Sequence, residues 1–160
     1  QLAAVIAGMG DVNYAHELRL LWRGLDLFYA GDAAAAYEQV AGVFITDYSR
    51  EGPQAVTLTL IVPAIALAAG RPAEALAVID RLLADMAVYG FTSQHGDAYR
   101  LRGDALRQLG RLDEARAAYT TALDIATAQG ALRSVEPARA ALEELGIRNY
   151  DQRPTDLLTY

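Results

Sequence analysis

Apolar residues recur along this chain three and four positions apart. Ala75, Val78, Ile79, Leu82 and Leu83 follow the i, i+3, i+4, i+7, i+8 spacing of one helix face. Ala115, Ala118, Tyr119, Ala122 and Leu123 repeat it, and Ala36, Val40, Val43 and Phe44 keep the same phase. Val, Ile and Thr scatter without alternating runs, so strand signals are weak. The pattern predicts seven helices, over 12–30, 33–48, 54–69, 72–89, 94–109, 112–129 and 135–145. Gly52-Pro53, Gly90, Gly130 and Gly146 punctuate them. Pro63 lies inside the third helix, where its missing N–H and its ring should impose a kink. Pro72 suits a first helical turn, and Asp113 and Glu114 place acid at the positive end of theirs. Ser134 reads as the N-cap of the last helix.

The helices come in pairs with a near-constant spacing. YAGDAAAAYEQV, AAGRPAEALAVI and QLGRLDEARAAY align on Gly31, Gly70 and Gly110, at steps of 39 and 40 residues, the mark of an internal repeat. Each glycine precedes an alanine by five residues: Ala36, Ala75 and Ala115. Seven residues upstream of the glycines lie Gly24, Pro63 and Gly103. Such spacing is what helix-on-helix packing demands. A glycine in left-handed conformation ends the first helix. Two antiparallel helices then approach closely only where one offers a small residue, here Gly24, Gly103, Ala36, Ala75 and Ala115. One pair cannot bury its own faces, so pairs stack into a solenoid. The predicted units are 12–50, 51–90 and 91–130, with a capping helix in 131–146 and a tail or linker over 147–160. Residues 1–8 match the end of a second helix from a preceding unit, with Ala3 and Ala4 one repeat before Val43 and Phe44. The chain lacks a starting Met and reads as an excised piece.

These units resemble tetratricopeptide-type repeats. That family places a small residue where Gly24 and Gly103 sit, a glycine at the turn and alanine at the next packing point. A large residue follows four further on and a small one three after that. Ala115, Tyr119 and Ala122 match well; Ala75, Ile79 and Leu82, and Ala36, Val40 and Val43, match less well. The resemblance covers residues 12–130 and implies an all-α, right-handed α-α superhelix of three helix pairs plus the cap, with a concave groove. The longer-than-usual unit is similar to those in the sensor regions of large bacterial regulators of the MalT-like and LuxR-type class. In those regulators a segment like Leu158-Thr159 leads into a helix-turn-helix domain. The resemblance therefore implies a cytoplasmic, non-catalytic module that binds a protein, a peptide or a small-molecule effector, with a homo-oligomer possible. A free-standing scaffold is the first alternative and a small helical enzyme the second.

Composition narrows the classes. About a fifth of the chain is alanine, which favours helix. The net charge of −6 argues against direct binding of nucleic acid or an anionic membrane by this segment. Cysteine is absent, which removes disulfides, thiolate metal sites and thiol catalysis. The longest apolar run, Leu58–Ala69, is too short to span a bilayer. The start, QLAAVIAG, has no basic n-region and is not a signal peptide.

Candidate chemistry is sparse. His16 and His95 occupy equivalent positions, eight residues before Gly24 and Gly103, about two repeats apart. Neither has the company a metal site needs, so no metal and no cofactor are expected. Ser49, Ser93 and Ser134 lack nucleophile-elbow glycines, and GMGDVN lacks phosphate-loop spacing. No catalytic residue is expected. The groove carried over from the family is lined by the first helix of each unit. The first unit offers Leu18, Leu21, Trp22, Leu25, Phe28 and Tyr29. The second offers Thr57, Leu60, Ile61, Ala64 and Leu67, and the third Asp97, Arg100, Leu101, Asp104, Arg107 and Gln108. One end would be aromatic and apolar, the other arginine-bearing, which suits a peptide with an apolar face and an acidic end. The same Trp22, Phe28 and Tyr29 could instead be ordinary core. Arg100 and Asp104, four apart, could form a plain surface ion pair. Arg23 and Arg102 stand where the usual repeat has leucine; a role reaching acids between helices would suit them.

Overall fold

The computed structural model describes residues 2–44 and 53–151, and side chains over 14–44 and 55–146. All regular structure among the described residues is helical. Eight helices are described: α1 (Leu2–Tyr29), α2 (Ala33–Val40), α3 (Pro53–Thr59), α4 (Ile61–Ala68), α5 (Pro72–Tyr89), α6 (His95–Gln108), α7 (Leu112–Ala128) and α8 (Leu132–Asp151).

The turn glycines act as their spacing predicts. Gly31, Gly70 and Gly110 adopt φ of +90°, +69° and +75°. At each, the glycine N–H bonds back three residues and the next N–H bonds back five, as in Arg111 N–H to Leu106 O at 2.9 Å. That closes the helix end by satisfying carbonyls that would otherwise be orphaned. Pro72 sits in the first turn of α5, and Asp32 caps α2 by accepting the Ala35 N–H at 2.9 Å.

Four boundaries differ from the sequence pattern. α1 is one helix of 28 residues, so residues 2–8 continue into it and are not a separate preceding helix. Gly8 and Gly10 each cost about 1 kcal/mol relative to alanine, which weakens a helix without ending it. α2 stops at Val40 and not at 48, because Gly42 takes φ +83° and turns the chain; 45–48 lie outside the described residues. The predicted 54–69 helix is broken at Leu60, one turn before Pro63, into α3 and α4. Pro63 has no N–H for the Thr59 carbonyl and its ring crowds that oxygen, so the backbone yields upstream. α8 begins three residues early, runs through Gly146 to Asp151, and holds Ser134 inside its first turn. Ser134 is therefore not the N-cap; its hydroxyl donates to Asp97 Oδ1 at 3.0 Å instead.

The break at Leu60 leaves a mark. Thr59 is fully buried and its hydroxyl has no hydrogen-bond partner. Thr59→Val should raise stability by about 1 kcal/mol in urea unfolding, since it removes a desolvated orphan and keeps the shape. A loss of stability would show that the hydroxyl is satisfied in solution.

Packing follows the pairs. α1 packs on α2, α4 on α5, α6 on α7, and α8 covers α7 and α6. The first helices also touch in series, α1 to α4, α4 to α6 and α6 to α8. They therefore form one continuous face. The small residues sit where packing requires them. A Cβ on Gly24 would meet Val40 Cγ1 at 2.4 Å and the Ala36 carbonyl at 3.3 Å. A Cβ on Gly103 would meet the Tyr119 ring equally closely, at 2.4 Å. Ala36, Ala75 and Ala115 are fully buried. The buried side chains form two clusters, a large one running from Leu21 to Ala105 and a smaller one of Leu106, Ala115, Ala118, Tyr119 and Leu145, and Leu76 packs against both.

Candidate functional site

The first-helix face carries a depression of about 340 Å³ between α1, the broken pair α3 and α4, and α6. Its apolar wall is Leu25, Phe28, Tyr29, Leu60, Ile61, Ala64, Ile65 and Leu101; its polar rim is Thr57, Gln94, Asp97 and Arg100. The break at Leu60 shapes this wall, because α3 contributes Thr57 while α4 contributes Ile61, Ala64 and Ile65. On its α1 side Phe28 meets Tyr29 edge-on, 5.7 Å between centroids.

The structure thus gathers ten of the singled-out groove residues: Leu25, Phe28, Tyr29, Thr57, Leu60, Ile61, Ala64, Asp97, Arg100 and Leu101. The others lie elsewhere. Leu21 is 1% exposed and belongs to the core, with Leu18 packed partly against it. Trp22 is 61% exposed and outside the depression's lining, and Tyr29 is 82% exposed, so neither is core. Gln108 reaches back to the Leu67 carbonyl at 3.4 Å, at the end of α4. Gln94 and Ile65 escaped the sequence reading. Gln94 precedes α6, and its amide reaches Thr57 Oγ1 across 37 residues of chain, a contact no local pattern encodes.

Asp104 and Arg107 enter a polar network beside the depression. Arg100 Nη1 donates to Asp104 Oδ2 at 2.9 Å, and the Tyr119 hydroxyl donates to Asp104 Oδ1 at 2.6 Å. Arg107 Nη2 lies 4.0 Å from Asp104, while its Nη1 donates to Glu144 on α8 at 3.1 Å. Burial, reinforced by the Asp104 carboxylate, holds the Tyr119 phenol well above its ordinary range, so it stays protonated and donates. Arg100 and Arg107 therefore already face carboxylates of their own chain. An open arginine-rich end awaiting an acidic partner is not what the geometry offers. Arg102 donates to Asp80 on α5 at 2.8 Å, reaching an acid between helices, whereas Arg23 is exposed.

His16 lies in mid-helix on α1 and His95 starts α6. Among the described residues no group of three or more His, Asp and Glu side chains gathers in metal-binding range. No helix among them is long and apolar enough to cross a membrane.

The model of one family, the tetratricopeptide repeat-like domain, matches residues 1–145. The chain belongs to that family. Tetratricopeptide repeat-like domains usually mediate protein interactions and are generally non-catalytic. The match ends at Leu145, a fully buried residue within α8, so it takes in most of the helix that covers α6 and α7. No curated protein and no solved structure matches the chain.

Proposed function

We propose that this tetratricopeptide repeat-like chain is a non-catalytic interaction module that holds a partner on its first-helix face. A partner's apolar side chain enters the depression, and the flanking polar groups meet its backbone. One observation carries this reading. Side chains from three successive units converge on an apolar hollow large enough for an aromatic or a pair of aliphatic side chains, next to the exposed ring of Tyr29. Apolar concavity with a few placed polar groups is the usual form of a binding site.

Ala64→Trp tests it. Ala64 is half-buried in the wall, so an indole there fills the hollow without entering the core. Peptides selected from a displayed random library on the wild-type chain should bind Ala64→Trp at least about tenfold more weakly, the equivalent of one buried apolar side chain. Equal affinity for both would sink the reading.

The setting we infer is a large cytoplasmic bacterial regulator, where binding on this face shifts a neighbouring domain. The long repeat unit, set by the spacing of Gly31, Gly70 and Gly110, and the Leu158-Thr159 pair support it. A helix-turn-helix coding segment downstream of Tyr160 in the gene is the expected finding, and its absence would count against the regulator.

A further inference from the structure

The second and third units each use one helix face to stack on the unit before. Counted by the turn-glycine intervals, Leu58, Ile61, Val62 and Ile65 match Ala98, Leu101, Arg102 and Ala105. All eight are buried or half-buried, because α4 lies against α1 and α2, and α6 against α4 and α5. Arg102, the one charge among them, donates to Asp80 on α5 at 2.8 Å. On α1 the same four positions hold Arg19, Trp22, Arg23 and Asp26. All four are exposed, and Trp22 is the only tryptophan of the chain. Spaced i, i+3, i+4 and i+7, they form one strip along the helix. Ala15 and Ala30 extend it at either end and are exposed too. Among the described residues none of its three charged side chains has an ion-pair partner.

The chemistry of the strip selects what covers it. A helix pair stacked as in the later units would press on Arg19 and Asp26 as α5 presses on their counterparts Ala98 and Ala105, which are fully buried. Both charges would then lose water without gaining a partner. An occupant with opposite charges at matching places removes that cost. The strip is its own complement when reversed. Laid antiparallel on itself, it sets Arg19 opposite Asp26 of the partner subunit and Trp22 opposite Arg23 of the partner subunit. The two-fold axis repeats both pairs. A guanidinium over an indole is a favourable contact, and tryptophan and arginine are the residues that most often dominate interfaces. The alanines at the ends let the helices approach. We propose that this strip is a homodimer interface, in which α1 of one protomer packs antiparallel against α1 of a second copy of this chain. Residues 15–30 span about 24 Å of helix, which suits a weak, micromolar dimer. Leu25 and Phe28 lie on another side of α1, so pairing leaves the depression's wall in place.

Sedimentation equilibrium across the micromolar range tests this. The wild type should show a reversible monomer–dimer equilibrium, and Trp22→Ala should weaken it at least about tenfold. The charges test the register. Arg19→Asp sets acid opposite acid at both ends of the contact, and Asp26→Arg sets base opposite base, so each variant alone should stay monomeric. Mixed together, the two should form a heterodimer, because every opposed pair is again of opposite sign. All substituted positions are exposed, so the monomers should melt close to wild type. Heterodimer formation would itself show that both variants fold. A wild type that stays monomeric throughout would overturn the proposal and leave the strip to a different chain. A dimer that Trp22→Ala does not weaken would place the contact on another surface and overturn it as well. Two charge variants that fail to pair when mixed would overturn the antiparallel arrangement.

Discussion

Gly103→Ala is expected to lower stability by about 2 kcal/mol through overpacking, although alanine is the better helix former. Two effects oppose each other. In a helix interior the exchange should gain about 1 kcal/mol from backbone entropy. Against it stands the Tyr119 ring, which a Cβ at 103 would meet at 2.4 Å. That ring is fully buried and its hydroxyl is tied to Asp104, so it has nowhere to go. Overpacking of this kind costs about 1–3 kcal/mol, and the immobile ring puts Gly103 at the top of that range. The sign should reverse in a Tyr119→Ala background, where the ring is gone and only the propensity gain remains. Urea unfolding of the two single variants and the double variant measures this. A Gly103→Ala that destabilises equally in both backgrounds would show that the glycine serves something other than close approach.

Tyr119→Ala should cost more, about 3–5 kcal/mol, in the range of large aromatic truncations in well-packed cores. The ring fills the space between α6 and α7, and Ala115, Ala118 and Leu106 around it are held by their helices and cannot collapse far. With total stability for a domain of this size at about 5–15 kcal/mol, the variant should unfold at much lower urea and expose the cap α8 early. A shift under about 1 kcal/mol would mean that the third unit is loosely packed, contrary to the geometry at Gly103. Tyr119→Phe separates the two roles of the side chain, because it retains the volume and removes only the bond to Asp104.

The spacing of Gly24, Gly31, Gly70, Gly103 and Gly110 made the helix pairs legible, because close approach and left-handed turns leave few residue choices. The first-helix face was legible for the same reason: once the phase of each unit is known, Leu25, Ile61, Ala64 and Arg100 fall on one side. Boundaries were less so. Gly42 looks like any helical glycine until its φ is known, and Pro63 marks a break without saying that the backbone yields at Leu60. Contacts across the units were not legible at all. Arg100 and Asp104 are four apart and visible as a pair, but Tyr119 joins them from another helix and Glu144 draws Arg107 toward α8. Those bonds depend on how units stack. They turned an expected arginine-rich surface into a network satisfied mostly within the chain.

The claim that partners bind on the first-helix face is tested most directly by methyl-resolved NMR during titration with a selected peptide. The binding face predicts shifts at Leu25, Ile61, Ala64 and Leu101, which line the depression. Ala77 and Val78, which line a separate hollow beside Phe44 on α5, should stay unmoved. Shifts confined to Ala77 and Val78, with the first-helix methyls unchanged, would contradict it.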